Sequence, residues 1–316
     1  MLPVIFFKIR SAALTLIFIV LLQSCIQDDL SNCGIGVRYR FVKNVEGIDK
    51  FSTSINEISL FVFDENKHFL GKYTESTAHM YDQTMLLPLK KGKYFLVAWG
   101  GLSDDYNLTS CVVGKTIMED FLLSLKSDQG IVNTHPADLY YGGIEEIEIK
   151  EPYTGTKYIT IDMMKNTNTI HVVTSGLPFG INSNSTHNSS YECKITSVNE
   201  AYKIDNSIVG KRLTYLPYEK IENKELFSDF VVMRELNNGS TESNIIISET
   251  TSGGFAPKEL LKIKLTDLLI EASITKDLDI DDDFKINILF DENSGHFKIS
   301  IKDWVVVVND GGNIIG

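Results

Sequence analysis

Apolar and polar residues alternate with a period of two along most of this chain, and a chain patterned that way buries one face of a sheet, not one stripe of a helix. Val37, Tyr39 and Phe41 fall on one side of a first strand, with Arg38 and Arg40 on the other. Ile58, Leu60 and Val62 lead into Asp64-Glu65-Asn66-Lys67, a turn-like stretch from which residues 68–73 return as the second arm of a hairpin. Residues 85–89 and 93–99, joined through Lys90-Lys91-Gly92, form another candidate hairpin. Strand-like segments follow at 138–143, 144–150, 158–164 and 169–174, and the run 182–190 is polar enough to be a loop. Further strands are expected at 191–198, 213–216, 230–234, 244–248, 258–265, 284–290 and 296–308.

The alternation breaks twice. At residues 115–126, Met118, Phe121, Leu122 and Leu125 recur at helical spacing behind a Thr116 and Glu119 capping box, which predicts a short helix. A second short helix is expected over 266–272. Evenly spaced short strands with turn signals predict an all-β protein of β-sandwiches with one or two short helices. A length of 316 residues suits two domains of about 100 to 200 residues each. Phe63-Asp64-Glu65-Asn66 and Phe290-Asp291-Glu292-Asn293 echo one another between the halves, as duplication or as shared turn chemistry.

The N-terminus reads as an export signal: Lys8 and Arg10 precede the uncharged run 11–22. That run is short of the roughly 20 apolar residues a membrane span needs. Leu22-Gln23-Ser24-Cys25 resembles the bacterial lipobox, with cleavage between Ser24 and Cys25 and acylation of Cys25. Acyl burial contributes about 0.8 kcal/mol per methylene, so two or three chains on one residue hold a protein to a membrane without a spanning helix. Gln27-Asp28-Asp29 is similar to the short acidic signal that carries lipoproteins to the outer face in Bacteroides-type bacteria. The expected division is a signal peptide 1–24, a lipidated linker 25–36, an N-terminal sandwich 37–166 and a C-terminal sandwich 167–316.

Loss of Lys8 and Arg10 with the signal moves the formal net charge from −12 to −14, since two positive charges leave. A surface that acidic repels phosphate, so neither a nucleic-acid partner nor electrostatic membrane docking is expected from the total charge. With Cys25 acylated, Cys33, Cys111 and Cys193 remain, enough for at most one internal disulfide and without metal-like spacing. His68, His79, His135, His171, His187 and His296 are scattered, and no Gly-x-Ser-x-Gly elbow or phosphate loop occurs. No catalytic residue, cofactor, metal or small-molecule substrate is therefore expected. The acidic run Asp277, Asp279, Asp281, Asp282, Asp283 could converge on calcium. Asp282 stands where an EF-hand-type loop wants Gly, and Ile288 where it wants Glu, so a solvated acidic turn is the expectation. Trp99, Tyr140, Tyr141 and Trp304 are candidates for a sugar platform in an alternative, glycan-binding lipoprotein, although Trp99 and Trp304 lie inside strand patterns that favour burial.

Taken in order, the lipobox, Asp28-Asp29-Leu30-Ser31-Asn32-Cys33 and the strand Val37-Arg38-Tyr39-Arg40-Phe41 resemble the start of the fimbrial anchor lipoproteins of type V pili in Bacteroides-type bacteria. Phe61-Val62-Phe63-Asp64-Glu65-Asn66, Ala98-Trp99-Gly100, Asp138-Leu139-Tyr140-Tyr141-Gly142 and residues 164–170 are similar too. So are residues 278–284, Phe290-Asp291-Glu292 and 299–304, so the likeness runs nearly the whole length. It implies two tandem transthyretin-like β-sandwiches and no enzyme activity. It further implies a role at the fimbrium base, where the protein tethers the fibre to the cell outer membrane through acyl chains, limits its length and contacts the fimbrial structural subunit.

Pilus subunits of this kind join when a strand of one fills a sheet groove of the next, with backbone hydrogen bonds supplying affinity. The first strand follows the lipid, so it is expected to stay in its own groove, which leaves the C-terminal end. There Trp304, Val305, Val306, Val307 and Val308 precede Asn309-Asp310-Gly311-Gly312. Such a β-branched run reads as a final core strand, or as a strand donor to another chain.

Overall fold

The computed structural model describes residues 34–150, 157–179, 189–251, 256–301, 304–308 and 314–315. Cys25, Ser24, Cys33 and His187 lie outside the described residues. The first half runs through β1 (Ile35–Arg40), β2 (Glu57–Asp64), β3 (Phe69–Ser76), β4 (Thr84–Leu87), β5 (Gly92–Gly100), β6 (Tyr106–Leu108), β7 (Leu122–Leu125), β8 (Ile131–Val132), β9 (Tyr140–Ile149) and β10 (Lys157–Lys165). Seven of these strands follow the order β3-β2-β5-β9-β10-β1-β4. The order folds back on itself, so that Val37, Tyr39, Ile161 and Met163 meet Leu60, Val62, Leu96 and Ala98 in one buried core. The strand β1 lies inside this arrangement, parallel to β10 on one side and antiparallel to β4 on the other.

Alternation weakens in β2 and β5, where Leu60, Phe61, Val62 and Phe63, then Leu96, Val97, Ala98 and Trp99, are all buried. Strands covered on both faces read as continuous apolar runs. The second face, Phe61, Phe63, Val97 and Trp99, packs into another core that continues through the rest of the molecule. Trp99 lies 4.9 Å from Tyr141 and 6.0 Å from Tyr202, ring to ring.

The second half adds β11 (Thr167–Ser175), β12 (Ser189–Ser197), β13 (Ala201–Lys203), β14 (Ile208–Val209), β15 (Leu213–Tyr215), β16 (Tyr218–Glu222), β17 (Glu225–Met233), β18 (Asn244–Thr251) and β19 (Lys258–Lys264). The helix Leu265–Ala272 follows, then β20 (Asp283–Asp291), β21 (His296–Ile301), β22 (Trp304–Val308) and β23 (Ile314–Ile315). A sheet of order β16-β17-β11-β20-β21-β22-β23 faces one of order β19-β18-β12-β15-β8. The fold is thus all-β, with two β-sandwiches and, among the described residues, the α-helices Phe51–Ser54 and Leu265–Ala272.

Three local expectations differ from the structure. Residues 85–89 and 93–99 are not a hairpin: β4 pairs with β1, whereas β5 pairs with β2 and β9. The helix expected over 115–126 is a 3-10 turn, Met118–Asp120, followed by β7. Leu123 and Leu125 are buried there in alternation, and β7 finds partners in β6 and β13, so tertiary pairing overrides a short helical period. Residues 138–143 and 144–150, expected as separate strand-like segments, form the single strand β9, and β8 joins the second sandwich beside β15. By contrast Leu265–Ala272 is the helix expected over 266–272.

The two echoing segments form turns of the same chemistry. Asp64 Oδ1 accepts from the amides of Asn66 and His68 between β2 and β3, and Asp291 Oδ1 accepts from the amide of Asn293 between β20 and β21.

Candidate functional site

One residue, Asn166, separates β10 of the first sandwich from β11 of the second, and the polar groups around it are tightly held. Asn166 is fully buried, and its main-chain oxygen accepts from the Tyr202 hydroxyl at 2.8 Å and from the Arg234 amide at 2.9 Å. Lys165, 13% exposed, sits 3.1 Å from Asp138 and 3.3 Å from Asp282. Burial pushes the Asp282 carboxyl up from its ordinary range, against the pull of Lys165. Glu235 is also fully buried and accepts from Ser197, Asn199, Thr241 and Ser243. Desolvation raises its carboxyl above the ordinary value, and the hydroxyl donors offset part of that cost.

The acidic run that could have gathered calcium is divided among separate protein partners. Asp277 accepts from Asn237, Asp279 pairs with Arg234 and with Lys43 of the first sandwich, and Asp281 accepts from Ser273 and Thr275. Asp282 pairs with Lys165, and Asp283 faces His171 at 3.6 Å. These carboxylates brace the junction. Among the described residues no group of three or more His, Cys, Asp or Glu is placed to hold a metal.

The junction gives the molecule two poles. Near the start of the described chain, Ile35 of β1 lies level with Lys157 of β10 and Leu87 of β4. Since β11 follows β10 after one residue, its end, Ser175, belongs to the opposite pole. There the ends of β11 and β20 and the starts of β17 and β21 enclose a cleft of about 590 Å³ lined by Leu177, Phe179, Lys224, Phe290, Asp291 and Lys298. Gly176 shapes its wall: it has a φ of +77°, and a Cβ there would lie 2.1 Å from the Phe290 oxygen. The Lys298 ammonium lies 3.3 Å from Asp291, whose carboxyl is held below its ordinary range, first by the Asn293 amide and then by Lys298.

The C-terminal strand reaches the same pole. β22 pairs antiparallel with β21, from Ile301↔Trp304 to Phe297↔Val308, so Val308 lies toward the cleft. β23 adds only the pairs Val307↔Ile315 and Val308↔Ile314. The run Trp304, Val305, Val306, Val307, Val308 therefore lies in its own domain's sheet near one margin. The cleft residues were not singled out in the sequence, where the only signal was the repeated Phe-Asp-Glu-Asn turn.

Of the four aromatics that could have formed a sugar platform, Trp99, Tyr140 and Tyr141 are buried in the cores. Burial raises both tyrosine hydroxyls above their ordinary range. Cys111 and Cys193 are free thiols, and burial raises Cys193 far above the ordinary thiol value. A buried thiol of that kind is inert.

Two braced sandwiches, a first strand flanked on both sides and a C-terminal hairpin near the margin of the far sheet define an all-β protein of two packed β-sandwiches. Comparison with known proteins agrees. The sequence model for "Fimbrillin-A associated anchor proteins Mfa1 and Mfa2" matches residues 30–310, and the chain belongs to that family. It is 24% identical over 271 residues to the minor fimbrium anchoring subunit Mfa2 of Porphyromonas gingivalis, covering 82% of this chain and 80% of that protein. The solved structure of the fimbrial anchor protein Mfa2 from Porphyromonas gingivalis superposes with a TM-score of 0.69 at 19% identity, covering 86% of this chain and 98% of the other. A candidate adhesin from Bacteroides ovatus gives 0.75 at 22% identity, with coverage of 90% and 97%. A candidate polysaccharide-binding protein from Bacteroides thetaiotaomicron gives 0.72 at 22% identity, with coverage of 89% and 100%.

Proposed function

We propose that this chain is an outer-membrane lipoprotein, acylated at Cys25, that holds the base of a type V fimbria at the cell surface and limits its length. It engages the fimbrial structural subunit by β-strand addition at the C-terminal hairpin. The observation that carries this reading is the contrast between the two ends of the chain. β1 is paired along its whole length with β10 and over residues 35–38 with β4, so removing it would open a fully formed core. β22 lies near a margin, and only the short β23 covers it on the outer side among the described residues. A strand added there gains backbone hydrogen bonds along Trp304–Val308 at the cost of two described β23 pairs. A subunit whose first groove stays filled cannot accept another strand at that groove, so its incorporation ends growth at the base. The family role is structural, not enzymatic.

Two variants test this. Cys25→Ala should leave the N-terminal peptide unacylated by mass spectrometry, move the protein out of the membrane fraction and shed fibres into the medium. Deleting residues 303–316 should shed fibres while the protein itself stays in the membrane. Fibres that remain attached to cells after that deletion would refute strand addition at this margin.

A further inference from the structure

The total charge of the chain hides a basic rim. At the pole where β1 begins, the β4–β5 connection carries exposed Lys90 and Lys91, β5 opens with exposed Lys93, β9 is followed by exposed Lys150, and β10 opens with exposed Lys157. The pairings Ile35↔Leu87, Ile35↔Lys157 and Gly92↔Ile149 bring these strand ends together. The Tyr94 hydroxyl fixes the Lys90 segment by donating to its main-chain oxygen at 2.9 Å. Glu148 faces the rim from β9, 3.2 Å from Lys150. In a chain of net charge −12 such clustering is local and one-sided.

Two apolar side chains stand beside the rim. On the outer face, Gly36 of β1 pairs with Leu86 on one side and Tyr158 on the other. Leu86 is 58% exposed and Tyr158 59% exposed, with no side chain between them. The Arg38 guanidinium lies 5.8 Å from the centre of the Tyr158 ring and is paired with Asp82, so the positive surface is that of the lysines. Lysines around an exposed tyrosine and leucine match a bilayer's headgroup layer: the amines meet phosphate, and the amphipathic ring sits at the interface.

We propose that this rim docks on a membrane surface bearing anionic phosphate headgroups, so that the first sandwich stands on the bilayer with β1 entering from below. The proposal rests on the lipoprotein reading for its tether. Residues 26–33 separate Cys25 from Gly34, and eight extended residues reach at most about 30 Å, which keeps the pole at β1 close to the lipid. Held upright, the molecule presents the cleft and the C-terminal hairpin away from the membrane, toward the fibre.

The test uses the mature chain carrying Cys25→Ala, which lacks the acyl tether, sedimented with vesicles of pure phosphatidylcholine or of phosphatidylcholine with phosphatidylglycerol. Each lysine near an anionic surface contributes on the order of a fivefold gain, so the expected preference for anionic vesicles is tenfold or more at low salt and is lost at high salt. Lys90→Glu with Lys91→Glu and Lys157→Glu should abolish it at an unchanged unfolding midpoint. Lys203→Glu with Lys211→Glu, exposed in the second sandwich, should not. Equal binding to both vesicle types, or a triple variant that binds as wild type does, would overturn the proposal. Acylation is read separately: an unacylated Cys25 in cells with the vesicle preference intact sinks the tether and leaves the rim standing.

Discussion

The Tyr202 hydroxyl donates to the main-chain oxygen of Asn166 over 2.8 Å, joining a strand of the antiparallel sheet β14-β13-β7-β6 to the residue between the sandwiches. The Tyr202 hydroxyl oxygen in turn accepts from the Arg234 amide at 2.8 Å, and the ring packs near Trp99. Burial raises this hydroxyl far above its ordinary range, so it stays a donor at any working pH. In the proposed anchor, pull on the fibre would pass between the two halves, and this contact lies where they meet.

Tyr202→Phe keeps the ring but removes the hydroxyl bridge, so Asn166 loses one donor and the Arg234 amide keeps only the Asn166 oxygen. The expected loss is about 0.5–1.5 kcal/mol, the net worth of one hydrogen bond, read as a lower denaturant midpoint. Membrane association should be unchanged.

Glu235 makes stability depend on pH in a direction opposite to most carboxylates. Its folded pKa stands above the ordinary 4.5. Its contribution is therefore fully present below about pH 4.5 and is lost as pH rises through the folded value. Glu235→Gln removes that titration, so the variant's unfolding midpoint relative to wild type should rise as pH increases from 4 toward neutrality. A pH-independent difference between the two proteins would contradict the burial argument.

Lys165→Met should destabilise by about 1–3 kcal/mol at neutral pH, because it strands Asp282 without its cation while keeping the packing volume. The Asp282 pKa, already raised by burial, would rise further. The deficit should therefore shrink as pH falls through the Asp282 pKa, since the protonated acid needs no partner. Unfolding curves at several pH values check the sign.

Trp99→Ala should cost about 3–5 kcal/mol through the cavity it leaves. Trp99→Phe should cost much less, because the indole N–H is buried without a partner and its removal breaks no hydrogen bond. A glycan platform would instead lose sugar binding with little change in stability, so calorimetry and glycan titration on the same variant separate the two roles.

Gly176→Ala forces a side chain into a left-handed conformation against the Phe290 oxygen. A loss of about 1–3 kcal/mol is expected, with faster amide exchange at the ends of β11 and β20 than at the junction.

Alternation along residues 37–41 and 284–290 was enough to predict an all-β chain, because the period of side chains on a strand is a property of the backbone. The turns at Asp64 and Asp291 and the helix near 266–272 were legible for the same reason, being set by residues a few positions apart. Partnership was not. Alternation names the buried face of β4 and does not say that its neighbour is β1 and not β5, nor that β8 crosses into the second sandwich. The helical spacing at 118–125 lost to β7 because β6 and β13 satisfy that backbone from elsewhere in the chain.

The sites divide along the same line. The lipobox-like segment ending at Cys25 and the β-branched run at Trp304–Val308 are contiguous, so the sequence alone singled out both as candidates. The cleft of Phe179, Lys224, Phe290 and Lys298, the pocket around Glu235 and the lysine rim at β1 gather residues from distant segments. Only the tertiary structure could bring those groups together, since their energies depend on distance in space and burial, and neither is encoded in the spacing of residues along the chain.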